Sequence, residues 1–341
     1  MAYTVNEHKR LTPLEYGGTI EINRIPSKTL VICFSRKAVY DMAKRMANHG
    51  HKVGVLYGAL PPEARIFQID KFNAGVYEVL VTTDVIGHGV NLPADNVVFA
   101  QTEKFDGYIT RALQIWEVAQ IAGRAGRYGL ADAGYVYTLS NEFGFNPDAR
   151  LVENGVKAAA GLMSDGLVLA KGKLRPTYSN LGKPDAHALA IALIEWHVEA
   201  IKALKNQNGI TPISITPLIT RWQLIGKRIK ISVITPNYTT PWGLSGEDVW
   251  DLLTLPIDND SVILTALIND LLTNSTAAVE LELKQAYNEA TSTLALAEKA
   301  AAIAKDALTV TNIYTEKYGY IFEHASVIED TAVKRIIELL E

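Results

Sequence analysis

The 341-residue chain has a single cysteine and no apolar run long enough to cross a membrane. Cys33 lies inside the apolar run TLVICF, which predicts a buried thiol in a reducing compartment rather than a reactive one. The first ten residues, MAYTVNEHKR, lack the apolar core of a secretory signal peptide. These absences argue against a disulfide-stapled secreted protein and against a membrane protein, and they predict a cytoplasmic one.

Internal repeats and low-complexity linkers are also missing from the sequence. With 48% hydrophobic and 21% charged residues, the composition is that of ordinary globular domains, and the length predicts two or three of them. The net charge is only -4 but uneven: residues 165–230 hold ten Lys/Arg against four Asp/Glu, and residues 231–341 hold six against seventeen. The middle segment is thus a candidate for phosphate contact, with a solvated basic face as the alternative.

Strand and helix patterns alternate over the first 145 residues. Buried-strand patterns occur in TLVICFS, HKVGVLYG, YEVLVTTD, NVVFAQ and GYVYTLS, and helical patterns follow in RKAVYDMAKRMANHG, PPEARIFQIDKFNAG and RALQIWEVAQIAG. This alternation predicts an α/β domain over residues 1–150, with a mostly parallel sheet covered by helices on both faces. Ligands of such sheets bind where loops leave the carboxyl ends of the strands.

A mainly α-helical region is predicted for residues 151–341, with a subdomain break near 231–245. An amphipathic helix is predicted within residues 185–209 and short helices on either side of LPIDND. RIKISVITP (residues 228–236) favours a strand or extended arm. The alanine-rich residues 276–308 predict one long helix that packs on its own domain rather than forming a coiled coil.

Two loops of the first domain carry residues suited to chemistry. In VTTDVIGHGVNLP, hydroxyls and Asp84 follow a strand, and Gly87 and Gly89 allow the backbone to approach a ligand closely. His88 lies between those glycines without a partner His or Cys, so no metal site is predicted. The simplest alternative is a tight turn with no ligand.

The second segment is QIAGRAGR, in which arginines at 124 and 127 follow small residues and Gln120 precedes them. A guanidinium matches phosphate oxygens as a fork, and arginines aimed at a γ-phosphoryl group stabilise the transition state of its transfer. Two surface arginines are the alternative for this segment in isolation. Both loops in order on one α/β domain favour a nucleotide site.

Five ordered segments resemble the second RecA-like domain of superfamily-two helicases: VICFSRK, VLYGALPPEAR, VLVTTDVIGHGVNLP, FDG and QIAGRAGRYG. They are most similar to the mitochondrial degradosome RNA helicase family and its bacterial relatives. The resemblance covers residues 10–140 and is faint beyond residue 158. It implies a RecA-like parallel sheet, followed by that family's helical C-terminal region.

The resemblance also implies roles for single residues on the nucleotide side. Arg124 and Arg127 resemble the arginine fingers on the γ-phosphate of ATP, and Gln120 a residue that arranges them and the attacking water. Asp84 and Gly89 are similar to positions that couple the nucleotide to the nucleic acid.

On the nucleic-acid side, the resemblance implies contacts with the backbone of a single strand. Thr83 resembles a residue that touches a phosphate. Ser35, Arg36, Gly58 and Leu60 are at positions where the family grips the 3' side of the strand. Such contacts carry little sequence information.

A complete motor also needs a P-loop and an acidic Mg²⁺-binding box, and neither motif occurs in this sequence. The expected protein is therefore half of an ATPase, inactive alone, whose ATP and Mg²⁺ are held mainly by an N-terminal RecA-like domain in cis or in trans. Single-stranded RNA is the expected partner, with DNA as an alternative. A non-catalytic adaptor that binds nucleic acid or protein, and a piece of a DNA translocase, stay open as other functions.

Overall fold

The computed structural model describes residues 11–87, 92, 94–105, 109–126, 132–140, 144–160, 172–205, 210–232 and 244–340. Contacts divide the chain into two compact units, residues 1–167 with 340–341, and residues 168–339. The sequence-predicted boundary at residue 150 falls inside a helix that packs within the first unit.

The first unit is an α/β domain. Its strands and helices are β1 (Leu14–Ile20), β2 (Thr29–Ile32), α1 (Arg36–Asn48), β3 (Val53–Leu56), α2 (Pro62–Asn73), β4 (Val79–Thr82), β5 (Asn96–Phe99), β6 (Glu103–Phe105), β7 (Thr110–Ala112), α3 (Ile115–Ala122), β8 (Gly134–Leu139) and α4 (Ala149–Ala160). Among the described residues, six strands form one sheet in the order β1-β8-β5-β2-β4-β3, and every pair is parallel. The predicted parallel sheet is confirmed.

The central strands consist mainly of apolar and β-branched residues because both faces of the sheet are covered. All four residues of β2, β4 and β5 are buried. Helices α1 and α2 pack against β3, and α4 packs against β1 and α3. This packing fixes the carboxyl ends of β2, β3 and β4 side by side.

Two elements of this unit do not appear in the sequence analysis. The edge strand β1 alternates between buried and exposed residues and has an irregularity at Gly17 and Gly18, which weakens its strand pattern. A two-stranded hairpin of β6 and β7 occupies residues assigned partly to a helix. That helix, α3, begins later than expected because Gln114 and Glu117 form a capping box at its start.

The second unit is mainly helical, as predicted. It contains β9 (Gly172–Leu174), α5 (Leu189–Leu204), β10 (Ile210–Pro212), α6 (Thr216–Ser232), α7 (Gly246–Thr254), α8 (Val262–Thr273), α9 (Ala277–Glu289), α10 (Leu294–Ile313), α11 (Thr315–Tyr318) and α12 (Phe322–Leu340). The predicted helices around LPIDND are α7 and α8. In the part of the chain that the structure describes, no helix has the length and apolarity needed to cross a membrane.

Two predictions for this unit are wrong. Residues 228–232 belong to helix α6 rather than to a strand, because the helix that starts at Thr216 continues through them. The alanine-rich segment forms two helices, α9 and α10, instead of one. The break follows from Thr291, Ser292 and Thr293, which favour caps and turns; Thr293 has an extended backbone at the N-cap of α10.

Candidate nucleotide and nucleic-acid site

The loop after β4 places Thr83 and Asp84 at the carboxyl edge of the sheet. The backbone N–H of Thr83 donates to the carbonyl oxygen of Leu56 at 3.1 Å, which ties this loop to the end of β3. Asp84 begins a 3-10 turn that ends at Gly87. Gly89 and His88 lie outside the described residues.

Asp84 belongs to a charged network with the β6–β7 hairpin and α3. Lys104 Nζ lies 3.2 Å from Asp84 Oδ2 and 2.7 Å from Glu117 Oε1. Arg111 donates to both carboxylate oxygens of Glu117, at 2.8 and 3.1 Å, and the backbone N–H of Gln114 donates to the same carboxylate at 2.8 Å. The carboxylate of Glu117 therefore joins the hairpin to the first turn of α3.

Sequence reasoning missed Lys104, Arg111 and Glu117. Lys104 and Arg111 are directly opposite each other in the hairpin, and like charges in that position repel. Glu117 offsets this repulsion because it accepts from both cations. The Gln-x-x-Glu spacing of a capping box was the available signal in the sequence.

Glu117 remains ionised although only 6% of its side chain is exposed. Burial raises the pKa of Glu117, but hydrogen bonds from Arg111, Gln114 and Lys104 outweigh it and lower the pKa to about 2. Burial likewise opposes the charge of Lys104, yet its hydrogen bonds to Glu117 and Asp84 raise the pKa of Lys104 above its ordinary value. Glu117 and Lys104 are thus both charged at neutral pH.

Acid should weaken this network in a defined range. Because the pKa of Glu117 lies below its ordinary value of 4.5, its contribution to stability is complete above pH 4.5 and is lost as pH falls toward 2. Glu117→Gln should lower the free energy of unfolding at pH 7 by about 2 kcal/mol, and the deficit should narrow from pH 4.5 downward. Urea titrations at several pH values measure it. Glu153→Gln, which alters an exposed pair with Lys157, is the control, and a deficit independent of pH would contradict the assignment.

Helix α3 brings Gln120 toward Asp84. Gln120 and Asp84 line one small cavity of about 40 Å³ together with Phe34, Lys104 and Trp116, among other residues. Gln120 is exposed, and Arg124, one helical turn later and just beyond the end of α3, is half-buried. Arg127 lies outside the described residues.

Close backbone packing fixes the chain beside Arg124. Ala125 forms a parallel bridge with Ala94, and the N–H of Gly126 donates to the carbonyl oxygen of Ala94 at 2.9 Å. Gly126 has a φ of +69°, and a Cβ there would lie 2.4 Å from the backbone nitrogen of Gly134. Only glycine fits this position, so the small residues of GRAGR have a packing role beside the arginine.

Gly126→Ala should therefore destabilise the first unit by about 2 to 3 kcal/mol, because it adds both a left-handed backbone penalty and a steric clash. Thermal or urea unfolding measures the change. Gly58→Ala serves as the control, since an added Cβ there meets nothing within 4 Å. Equal stabilities of the two variants would refute the packing role.

The residues expected on the nucleic-acid side lie at the ends of β2 and β3. Ser35 is exposed and caps α1, with its Oγ accepting from the N–H of Ala38 at 3.1 Å. The guanidinium of Arg36 lies 5.7 Å from the centre of the Tyr57 ring. The contact of these residues with a nucleic-acid backbone remains a prediction.

Gly58 and Leu60 differ in what they can offer to such a strand. Gly58 is exposed, whereas the side chain of Leu60 is 1% exposed and belongs to the core. The carbonyl oxygens of both accept from Arg65, at 2.5 and 2.7 Å respectively. Any contact of Leu60 with a ligand would have to come from its backbone.

The donors of this site suit phosphate better than a metal ion. Gln120 in α3 has an amide and Arg124 just beyond it has a guanidinium, and both groups match phosphate oxygens. In the described part of the chain, no group of three or more His, Cys, Asp or Glu side chains is placed to hold a metal. ATP phosphates accept hydrogen bonds from donors of these types.

A larger cavity lies in the second unit, between α9 and α12. Its volume is about 890 Å³, and its walls include Leu281, Tyr287 and Val327. No motif of the sequence analysis falls in it.

In comparisons with known proteins, the family match lies within the first unit. Residues 17–129 match the family model described as the helicase conserved C-terminal domain. The chain is 42% identical over 131 residues to the mitochondrial ATP-dependent RNA helicase SUV3 of Oryza sativa subsp. japonica, covering 37% of this chain and 23% of that protein. It is 34% identical over 211 residues to the mitochondrial DExH-box ATP-dependent RNA helicase DExH16 of Arabidopsis thaliana, covering 59% and 35%. The chain thus spans about a quarter to a third of these relatives.

Among solved structures, the C-terminal domain of the DEAD-box protein Dbp5 is similar over 39% of this chain and 83% of that one. The sequences are 23% identical, and the TM-score is 0.30.

The prediction of a cytoplasmic protein is wrong. The rice and Arabidopsis relatives are both named as mitochondrial helicases, which points to mitochondria instead. The prediction relied on a buried cysteine and on the residues at the start of the chain. A reduced thiol suits any reducing compartment and does not single out the cytoplasm.

Proposed function

We propose that this chain, whose residues 17–129 match the model of the helicase conserved C-terminal domain, works as the second motor half of an ATP-dependent RNA helicase. One observation carries the proposal. Asp84, from the loop after β4, and Gln120, from α3, line the same cavity one helical turn before Arg124. The names of the relatives support the activity and the choice of RNA over DNA.

In the working motor, an N-terminal RecA-like domain with a P-loop holds ATP and Mg²⁺ in cis or in trans. ATP supplies the phosphoryl group whose transfer to water releases free energy. Arg124 and Arg127 reach the γ-phosphate from this chain and stabilise the negative charge that develops on it. Gln120 orients them and the attacking water, while Asp84, Gly87 and Gly89 lie between the nucleotide and the nucleic acid.

The nucleic-acid strand runs over the carboxyl ends of β2, β3 and β4. Ser35, Arg36 and Thr83 donate to its phosphates and sugars, and the exposed backbone at Gly58 lets the strand approach closely. The backbone of Leu60 completes this surface. Closure of the two motor halves on ATP then tightens the grip, and hydrolysis releases it.

The test combines the purified chain with an N-terminal P-loop domain, taken from the coding sequence immediately upstream or from a relative. Each half alone should hydrolyse ATP at the background rate, and the pair should show ATPase activity that single-stranded RNA stimulates. Stimulation by DNA but not RNA would favour a DNA translocase. No activity in the pair, despite binding of RNA by the chain, would support the adaptor function and overturn the proposal.

A further inference from the structure

We infer that Lys104 is a positioning residue that couples the loop after β4 to helix α3, which carries Gln120 and ends just before Arg124. The role inferred for Lys104 rests on the proposed function, whereas the contacts of Lys104 are observed in the structure independently of it. It assigns a role to the β6–β7 hairpin, which lies between the two predicted site segments in the sequence.

Lys104 bridges two carboxylates that come from different elements. Its Nζ lies 3.2 Å from Asp84, at the start of the 3-10 turn, and 2.7 Å from Glu117, in the first turn of α3. The side chain of Asp84 is 46% exposed, whereas that of Glu117 is almost fully buried. A ligand can therefore compete for Asp84, while Glu117 stays fixed on α3.

The bridge is not needed to hold the hairpin in place. Arg111 alone clamps Glu117 through two hydrogen bonds and also donates to the carbonyl oxygen of Ala112 at 3.0 Å. The contact of Lys104 with Asp84 is therefore additional to the clamp. What it adds is a link from the turn after β4 to the helix.

Helix α3 can carry that link to the arginine. Glu117 lies in the first turn of α3, and Arg124 comes two residues after Ala122, where the helix ends. Ala125 is paired with Ala94, so both ends of this short segment are held. If Asp84 shifts when a nucleic acid binds, its contact with Lys104 changes, and so does the contact of Lys104 with the start of α3. Helix α3 would then transmit the change to Arg124, just beyond its other end.

Hydrogen exchange of the backbone amides of residues 115–126 tests the coupling without RNA or nucleotide. Asp84→Asn should raise exchange there about threefold, and Lys104→Met about fivefold, because each removes a charge-assisted contact. Asp84→Asn should add nothing in the Lys104→Met background. Lys104→Arg, which keeps the charge, should stay near the original rate, and Glu21→Gln, which alters an exposed pair with Arg24, is the control.

The coupling is overturned if Asp84→Asn leaves exchange in residues 115–126 unchanged, or raises it equally in both backgrounds. A second measurement uses the pair with the P-loop domain. There, Lys104→Met should lower the RNA-stimulated kcat about tenfold with little change in the RNA concentration for half-maximal stimulation, since Lys104 is not an RNA ligand. Failure of that pair to hydrolyse ATP at all would overturn the proposed function and leave the exchange result to decide the coupling.

Discussion

Arg124→Ala is expected to reduce the RNA-stimulated ATPase of the chain paired with a P-loop domain by about 1,000-fold, which is typical for loss of an arginine finger. The geometry favours a specific role for this side chain. Arg124 follows Gln120 by four residues. Two residues later, Gly126 is packed so closely against the backbone of Gly134 that no larger residue fits there. Under the proposed function, a backbone held this firmly fixes the position from which the guanidinium of Arg124 extends toward the phosphate.

Arg124→Lys should restore little of the lost activity, because an ammonium cannot reproduce the planar fork of a guanidinium. The KM for ATP should change far less than kcat if the arginine acts mainly in the transition state. Arg24→Ala is the matched control, since Arg24 is an exposed arginine whose ion pair with Glu21 contributes little. A paired enzyme that keeps its RNA-stimulated rate after Arg124→Ala would sink the arginine-finger assignment.

The parallel sheet was predictable because its central strands are nearly continuous apolar runs. Such runs are typical of strands that are covered on both faces, as in parallel sheets. The hairpin of β6 and β7 was not, because its strands have three residues each and depend on contacts with Glu117 rather than on a pattern of their own. In the second unit, alanine content predicted helix correctly but hid the break between α9 and α10. The run Thr291–Thr293, whose residues favour caps and turns, was the signal of a boundary, and the high alanine content on both sides obscured it.

The residues of the candidate site likewise include some that the sequence predicted and some that it did not. Gln120, Arg124 and Asp84 were predicted from segments in which glycines lie close to polar residues. Lys104, Arg111 and Glu117 were missed because their roles arise from pairing across the hairpin and onto α3. The roles of the predicted residues toward ATP and RNA remain predictions, and the assays above test them.

Arg221 shows why a charge count misleads. The sequence placed it in a basic segment suited to phosphate contact, but the structure buries it in the second unit at 6% exposure. Its guanidinium donates to the carbonyl oxygens of Leu252 and Leu255, at 3.1 and 2.7 Å, and of Ile257. The side chain thus satisfies carbonyls at the end of α7 and in the turn that follows, which is the break that LPIDND predicts.

Arg221→Met should lower the free energy of unfolding of the second unit by about 4 kcal/mol. Methionine keeps most of the volume but leaves several buried carbonyl oxygens without donors, and each such group costs about 1 to 3 kcal/mol. Lys227→Met, at an exposed position of the same helix α6, should change stability by less than about 0.5 kcal/mol. Urea unfolding followed by circular dichroism measures both.

Arg221→Lys separates hydrogen bonding from charge. A lysine keeps the positive charge but offers one donor group instead of a fork, so it can reach only part of the carbonyls that the arginine serves. We expect it to recover less than half of the lost stability. Full recovery would mean that burying a cation near Asp258 matters more than serving the end of α7, and the capping role of Arg221 would then be wrong.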